Sequence, residues 1–139
     1  MRCMQENILV LLTPKASVKC LEASLTIRQG LEKFRAHGYS AVPVINNDGT
    51  YVGVLNEGDF LWEIINNDAI KLNELENKHI IDIINKKVPS AKTDVNIEEL
   101  IDLISNYNFV PIVDDRNVFM GIITRKAVIN YLYSKMIEK

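Results

Sequence analysis

The sequence predicts a mixed α/β (α+β) protein built from two copies of a β-α-β-β-α repeat that pack with pseudo-two-fold symmetry. Pro43 and Pro111 lie 68 residues apart, and so do Gly53 and Gly121. Apolar residues recur at the same offset around both pairs, in the segments AVPVINNDGTYVGVLNEGDF and FVPIVDDRNVFMGIITRKAV. Because one copy alone would expose too much apolar strand, we expect the two copies to bury these surfaces against each other.

The turn between the last two strands of each copy supports the repeat independently. In the first copy Asp48-Gly49 is a strong hairpin signal. The second copy has Asn117 at the position of Gly49, and Asn is the next-best residue for a positive φ. We therefore predict a left-handed turn residue in both copies.

The first copy is predicted over residues 1–67 and begins with a short N-terminal helix that ends before Thr13-Pro14. Thr26 is predicted as the N-cap of the next helix and Gly38 as its C-cap. The remaining predicted elements are, in order, a short strand at Ser17–Leu21, strands Ser40–Ile45 and Tyr51–Leu55, and a helix from Glu57 to about Asn66.

Residues 68–79 are polar and are predicted as a connection, and the second copy follows over residues 80–139. Its predicted elements are a short helix from Ile80, a strand at Val88–Ala91, a helix through Ile97 and Ile104, two strands, and a closing helix at Thr124–Met136. The second copy is two residues shorter before Pro111 and lacks a counterpart of Gly38, which predicts a tighter corner.

Composition excludes several classes of function. The formal net charge is −2 and there is no basic block, so nucleic acid is not an expected partner. The apolar run Ile8–Leu12 is too short to span a membrane or to form a signal core, so we expect a cytoplasmic protein. Cys3 and Cys20 have no metal or redox spacing, and neither His37 nor His79 is assigned to a metal.

Catalysis is not predicted either. The sequence has no Walker loop, no metal-ligand cluster, and no Cys/His or Ser/His/Asp arrangement that its order places together. We therefore expect neither an enzyme nor a resident cofactor.

Four segments carry a family resemblance: Tyr39–Val44, Gly53–Asp59, Phe109–Val113 and Gly121–Lys126. They resemble the motifs of tandem cystathionine-β-synthase (CBS) domain pairs of the stand-alone bacterial type, over nearly the whole chain. The resemblance implies a regulatory module that binds an adenine nucleotide or adenosyl ligand in clefts between the repeats and usually forms a homodimer. AMP, ADP, ATP, S-adenosylmethionine and cyclic di-AMP all remain open, and an unidentified effector protein is expected to read the dimer rearrangement.

The nucleotide motif of that family is Gly, two apolar residues, Thr or Ser, two variable residues, and Asp. The first copy keeps Asp59 but has Asn56 at the hydroxyl position, and the second keeps Thr124 but has Ala127 at the Asp position. Asp59 is placed to accept hydrogen bonds from a ribose diol. It is equally placed as the third helical residue of a capping box with Asn56, and the two roles are compatible.

Charged and aromatic residues complete the predicted site. Arg125 and Lys126 lie in the first turn of the last helix, where the dipole disfavours cations unless a bound phosphate reverses the preference; the alternative is two solvated surface cations. By family position Lys15 and Arg28 are candidate phosphate contacts, and the alternative for both is an ordinary surface position.

The resemblance adds two residues before the first hairpin. Tyr39 is a candidate to flank an adenine ring, or else a core aromatic, and Ser40 lies beside it. Together with Thr124–Lys126, this Gly38–Ser40 run is similar to stand-alone CBS pairs that bind cyclic di-AMP. The competing hypothesis is a dimerisation or protein-interaction module whose degenerate clefts bind no ligand.

Overall fold

The computed structural model describes residues 8–38, 40–66, 72–84 and 88–138. Its strands are β1 Thr13–Pro14, β2 Leu21–Glu22, β3 Ala41–Ile45, β4 Tyr51–Asn56, β5 Ala91–Lys92, β6 Phe109–Val113 and β7 Phe119–Thr124. Its α-helices are α1 Ile27–His37, α2 Glu57–Asn66, α3 Leu72–Asn77, α4 Ile97–Ile104 and α5 Arg125–Ile137. Short 3-10 helices lie at Ile8–Leu11, Lys15–Ser17 and Ile80–Asp82. Both copies have the predicted order of strand, helix, strand, strand and helix, so the mixed α/β class is confirmed.

The described strands form two sheets with matching hairpins. One sheet has the order β2-β3-β4 and the other the order β1-β7-β6-β5. In each sheet a hairpin is antiparallel, and the short strand before the first helix of that copy joins it in parallel. Val44 pairs with Gly53 as Ile112 pairs with Gly121, and the register shifts one residue later in both hairpins. The two copies are therefore equivalent pair for pair.

Two compact units divide the chain differently from the predicted boundaries at 1–67 and 80–139. The continuous unit is Lys19–Lys87, and the discontinuous unit combines Met1–Val18 with Val88–Lys139. The difference lies in the short segment that precedes each repeat. The segment before the first copy packs with the second copy, and the segment before the second copy packs with the first.

Strand pairing and core packing show this exchange. Thr13 pairs with Ile122 and Pro14 with Gly121 at the edge of the second sheet. Beside them, Ile8 is buried in the core of the second copy, which also includes Val110 and Leu100. In the other direction, the core of the first copy contains Ile80 and Ile83. Each compact unit thus closes its core with a segment that the sequence repeat assigns to the other copy.

The predicted polar connection 68–79 contains the helix α3. Its Leu75 is buried in the core of the continuous unit together with Phe34 and Phe60, and these two rings make an edge-to-face contact with centroids 5.3 Å apart. Glu76, the next residue of α3, forms an ion pair with Arg28 of α1. Buried Leu75 and the ion pair of Glu76 therefore anchor the connection to the continuous unit.

The turn residues of both hairpins adopt the predicted left-handed conformation. Gly49 has φ of 89° and Asn117 has φ of 65°. Asp48 accepts hydrogen bonds from the hydroxyl and the backbone N–H of Thr50, which hold the pKa of Asp48 below its usual value. Because folding lowers the pKa of Asp48, its hydrogen bonds with Thr50 stabilise the folded state at pH values above the pKa of Asp48 in the unfolded chain. This stabilisation is lost as the pH falls through the pKa of Asp48 in the folded state.

The first helix of each copy begins in the same way and ends differently. Thr26 caps α1 by accepting from the N–H of Gln29, and Gly38 ends it with φ of 69°, so both predicted caps are confirmed. Asn96 caps the start of α4. This helix has 8 residues against 11 in α1, and its C-cap, Ser105, is right-handed. The shorter corner of the second copy is thus built without a left-handed glycine.

Gly121 lies where β1 pairs with β7 at the edge of the second sheet. Its φ is +151°, and a Cβ at this position would overlap the carbonyl oxygen of Thr13. A Cβ on Gly38 would meet nothing within 4 Å, so Gly38→Ala is the matched control, with a cost limited to about 1 kcal/mol for the left-handed backbone. We expect Gly121→Ala to lower the free energy of unfolding by about 3 kcal/mol or more, because β1 must shift. Equal losses for the two variants in urea denaturation would contradict this packing.

Candidate functional site

The start of α2 carries the predicted capping box. The Asn56 side chain accepts a hydrogen bond from the N–H of Asp59 at 3.0 Å, and Asp59 Oδ2 accepts one from the N–H of Asn56 at 2.9 Å. Asp59 is only 7% exposed, and in the part of the chain that the structure describes it is the one buried charged side chain. The capping role is therefore confirmed, while the ribose role stays a prediction.

The hairpin and the core together fix this turn. Asn56 is the last residue of β4 and pairs with Ala41, and the N–H of Glu57 donates to the carbonyl of Ser40 at 3.1 Å. Phe60 follows Asp59 directly and is buried in the core of the continuous unit. The helix must therefore start with the Asp59 side of its first turn against the body of the unit. Ser40 is itself exposed, and Tyr39 lies outside the described residues.

The start of α5 is the equivalent position in the second copy. Thr124 Oγ1 accepts from the N–H of Ala127 at 3.1 Å, which confirms Thr124 as the N-cap. The Arg125 N–H donates to the carbonyl of Asn108 at 2.8 Å, as that of Glu57 does to Ser40 in the first copy. Lys126 is exposed.

The side chain of Arg125 has a partner that the sequence did not indicate. Its Nε donates to the carbonyl oxygen of Ile104, the last residue of α4, at 3.0 Å. A cation is favoured at a helix C-terminus, because the unsatisfied carbonyls there carry partial negative charge. Neither of the two predicted roles of Arg125, phosphate contact or solvated surface cation, included this contact. The lack of a Gly38 equivalent after α4 predicted a tighter corner, but it did not indicate which group would cap the helix.

The two helix starts differ in charge. The first turn of α2 contains the carboxylates Glu57 and Asp59, whereas α5 has Arg125 and Ala127 at the same repeat positions and Lys126 between them. Carboxylates accept hydrogen bonds from hydroxyl groups, and cations with free helix N–H groups favour anions. The first copy thus presents carboxylates at its helix start, and the second presents cations.

Lys15 lies in the same compact unit as Arg125 and Lys126. It is next to the start of β7, whereas Arg125 and Lys126 follow the end of that strand. Pro14 pairs with Gly121 in an antiparallel register, so the chain runs from there toward the start of β7 and away from Thr124. Lys15 is exposed in the following 3-10 helix. In this register Lys15 lies beside Met120, and the distance along β7 from Met120 to Thr124 is about 13 Å. The register does not bring Lys15 to the first turn of α5.

Arg28 is engaged by two carboxylates. Its guanidinium forms ion pairs with Glu76 and with Glu32, the latter at 3.2 Å. The hydrogen bond with Glu76, then that with Glu32, raises the pKa of Arg28 above its usual value. The adjoining concavity of about 390 Å³ is lined by Thr26, Gln29 and these three charged side chains. Two carboxylates to one guanidinium make this surface a poor match for a phosphate, and the predicted phosphate role of Arg28 stays a prediction.

Exposed apolar side chains recur on the second helix of both copies. On α2, Leu61 and Ile65 are 55% and 53% exposed; on α5, the equivalent Ile129 and Tyr133 are 56% and 61% exposed. Further exposed apolar residues on the same helices are Trp62, Met136 and Ile137. We call these surfaces the α2 face and the α5 face. On the opposite side of α5, Val128 is buried in the core of the discontinuous unit.

No group of three or more His, Cys, Asp and Glu side chains within the described residues is arranged to hold a metal ion. None of the helices in the described ranges combines the length and the apolar character needed to cross a bilayer. His79 uses its backbone N–H to donate to Asp82 at 3.1 Å at the start of a 3-10 helix.

The paired hairpins, the capped helix starts and the exchanged leading segments define a tandem-repeat α/β protein. The family profile described as CBS domain matches residues 10–66 and 80–134. The chain therefore belongs to the CBS-domain family, and the predicted resemblance is confirmed.

Curated relatives include proteins of very different length. The chain is 29% identical over 106 residues to the inosine-5'-monophosphate dehydrogenase of Methanocaldococcus jannaschii, covering 75% of this chain and 19% of the enzyme. It is also 29% identical over 128 residues to an uncharacterized protein of the same organism, covering 71% of this chain and 76% of that protein. The chain thus spans about a fifth of the length of the dehydrogenase.

Solved structures share the fold over almost the whole chain. CbpB in complex with c-di-AMP has a TM-score of 0.89 and 23% identity, covering 98% of this chain and 90% of CbpB. CbpB of Listeria monocytogenes in complex with c-di-AMP has a TM-score of 0.82 and 21% identity, covering 96% and 100%. CBSX2 in complex with AMP has a TM-score of 0.70 and 22% identity, covering 96% and 98%. At these identities the similarity establishes the fold of a stand-alone CBS pair.

A prediction follows for the two N-caps. Asn56→Ala and Thr124→Ala each remove the side-chain acceptor for a backbone N–H of the first helical turn. We expect each substitution to lower the free energy of unfolding by about 1 kcal/mol, and Asn56→Ser to lower it by less, because Ser is a comparable cap. Urea denaturation of the purified variants measures both effects. A loss from Asn56→Ser as large as that from Asn56→Ala would show that Asn56 has a role other than capping.

Proposed function

We propose that the chain is a regulatory ligand-sensing module that binds an adenine nucleotide or adenosyl ligand. The observation that carries this proposal is Asp59, a carboxylate 7% exposed in the first turn of α2, at the position of the acidic residue in the family's nucleotide motif. Membership of the CBS-domain family and the c-di-AMP and AMP complexes of structurally similar proteins support it.

The proposed ligand roles follow the charge of each helix start. Asp59 accepts hydrogen bonds from the ribose hydroxyls, and Lys126 contributes positive charge for a phosphate. A carboxylate has about four lone-pair sites, so the one bond that Asp59 accepts from the N–H of Asn56 does not by itself exclude a hydrogen bond from a ribose hydroxyl. Within this assignment cyclic di-AMP, AMP, ADP and ATP are the candidate ligands, and Asn56, Thr124, Ser40 and Tyr39 are candidate neighbours of the nucleotide.

We further propose that the chain forms a homodimer and that an effector protein recognises the rearrangement of this dimer. In this proposal the protein acts in the cytoplasm and does not catalyse a reaction itself. The α2 face and the α5 face support the dimer, because several exposed apolar side chains on one helix are typical of a protein–protein contact surface. A ligand changes the dimer only if it binds one arrangement more tightly than the other.

The second candidate is an interaction module that binds no ligand. It is favoured by the caps, because Asn56, Asp59 and Thr124 all have structural partners without a ligand. Exposed apolar helix faces suit this function equally well.

Thermal unfolding against a panel of AMP, ADP, ATP, S-adenosylmethionine and cyclic di-AMP, with guanine nucleotides as controls, separates the two. A ligand at 100 times its dissociation constant stabilises the folded state by about 2.7 kcal/mol, which raises Tm by several degrees. We expect a shift with at least one adenine ligand and none with guanine nucleotides. A folded protein that shifts with none of them is the interaction module instead.

The role of Asp59 has its own test with a matched control. Asp59→Ala is expected to weaken binding of the panel's active ligand by about 1–3 kcal/mol, because a polar ligand group loses its acceptor. Asp82→Ala removes a carboxylate of the same capping geometry, since Asp82 accepts from the N–H of His79, and should leave affinity unchanged. Isothermal titration calorimetry measures both. Equal affinity in wild type and Asp59→Ala removes Asp59 from the site.

A further inference from the structure

The last turn of α4 has a hydrogen-bond donor for each of its final four carbonyls. The Ile101 carbonyl accepts from the N–H and the hydroxyl of Ser105, and the Leu103 carbonyl accepts from the N–H groups of Asn106 and Tyr107. The Asp102 carbonyl accepts from the Asn106 side chain at 3.4 Å. The final carbonyl, of Ile104, accepts from Arg125 Nε at 3.0 Å. A residue 21 positions further along the chain therefore completes the end of this helix.

The first copy ends the equivalent helix with a left-handed glycine. The N–H of Gly38 donates to the carbonyl of Phe34 at 3.1 Å, and its left-handed backbone turns the chain into β3. Both corners share the backbone bond from the second helix, Glu57 to Ser40 and Arg125 to Asn108. They differ in the side chain at this repeat position. Glu57 is an acid that no helix C-terminus would attract, whereas Arg125 is the donor that the shorter corner requires.

We propose that Arg125 is a positioning residue, which fixes the Thr124 turn by capping α4, and that it does not contact the phosphate of the ligand. The proposal rests on the proposed nucleotide-binding function and assigns different roles to two adjacent cations. Arg125 joins the end of α4 to the start of α5, and the exposed Lys126 supplies the positive charge for a phosphate.

The contacts of Arg125 support this division. Its Nε donates to the carbonyl of Ile104 at the end of α4, and its backbone N–H donates to the carbonyl of Asn108 just before β6. One residue therefore contacts both ends of the segment between α4 and β6. The bond from Nε to Ile104 fixes the guanidinium at the end of α4, and this limits the positions that its other N–H donors can reach. Ile104 is buried, so water is a poor replacement for Nε. A cation in the first turn of α5 is unfavourable, and the reach to α4 places the charge where the dipole favours it.

The test compares Arg125→Ala with Lys126→Ala, which removes the same charge from the next residue. Amide hydrogen exchange reports the local effect, and titration with adenosine and with AMP reports the ligand effect. We expect Arg125→Ala to speed exchange at the amides of residue 125 and Ala127, to lower Tm by several degrees, and to weaken adenosine and AMP by the same factor of roughly ten. Lys126→Ala should leave exchange and Tm unchanged and weaken AMP alone.

Three results overturn the proposal. A loss of AMP affinity with adenosine unaffected in Arg125→Ala assigns Arg125 to the phosphate. A lower Tm with unchanged affinity for both ligands makes it a purely structural cap. Unchanged exchange at the two amides removes the positioning role. Arg125→Lys, which keeps the charge, is the milder variant and should shift the same readouts in the same direction by less.

The exchange measurement keeps the two proposals separate. If the wild type binds neither adenosine nor AMP, the nucleotide-binding function fails. Faster exchange at residue 125 and Ala127 in Arg125→Ala then still supports the positioning of the Thr124 turn, and unchanged exchange still overturns it.

Discussion

The close approach of the Thr13 carbonyl to Gly121 is the contact on which the discontinuous unit depends. Only a residue without a Cβ lets β1 lie against the edge of β7 at this point. That pairing carries Ile8, Leu11 and Leu12 into the core of the second copy. In the same way, the short helix at Ile80–Asp82 places Ile80 in the core of the first copy. Each repeat therefore contributes a leading segment to the core of the other, and neither compact unit corresponds to one sequence repeat.

The sequence predicts most of the repeat and little of this exchange. The hairpins were predictable because Gly49 and Asn117 both meet a backbone requirement that few residues satisfy. The strand β1 was not, since two residues show no periodicity and its partner lies more than a hundred positions away. The helix α3 was hidden because its buried Leu75 lies in a stretch that was interpreted as a polar connection.

In the candidate site, too, the sequence predicts the local contacts of single residues but not the contacts between distant elements. Asn56, Asp59 and Thr124 were predictable as caps because capping follows local spacing. The bond from Arg125 to Ile104 depends on how two helices meet, which no local pattern contains. These polar groups stabilise the helix starts whether or not a ligand is present. A ligand that uses Asp59 or Thr124 finds them already oriented, so it loses little conformational entropy in ordering them.

The discontinuous unit also imposes an order on folding during synthesis. The pairings of β2, β3 and β4, and the packing of Leu75 and Ile80, involve only residues already translated when Ile84 leaves the ribosome. The segment Ile8–Val18 must wait until β7 has been made before it finds its partner. Its contacts have a high sequence separation, which makes them slow to form, while the apolar residues Ile8, Leu11 and Leu12 stay without their core. A nascent chain paused between the two units would expose that segment to chaperones.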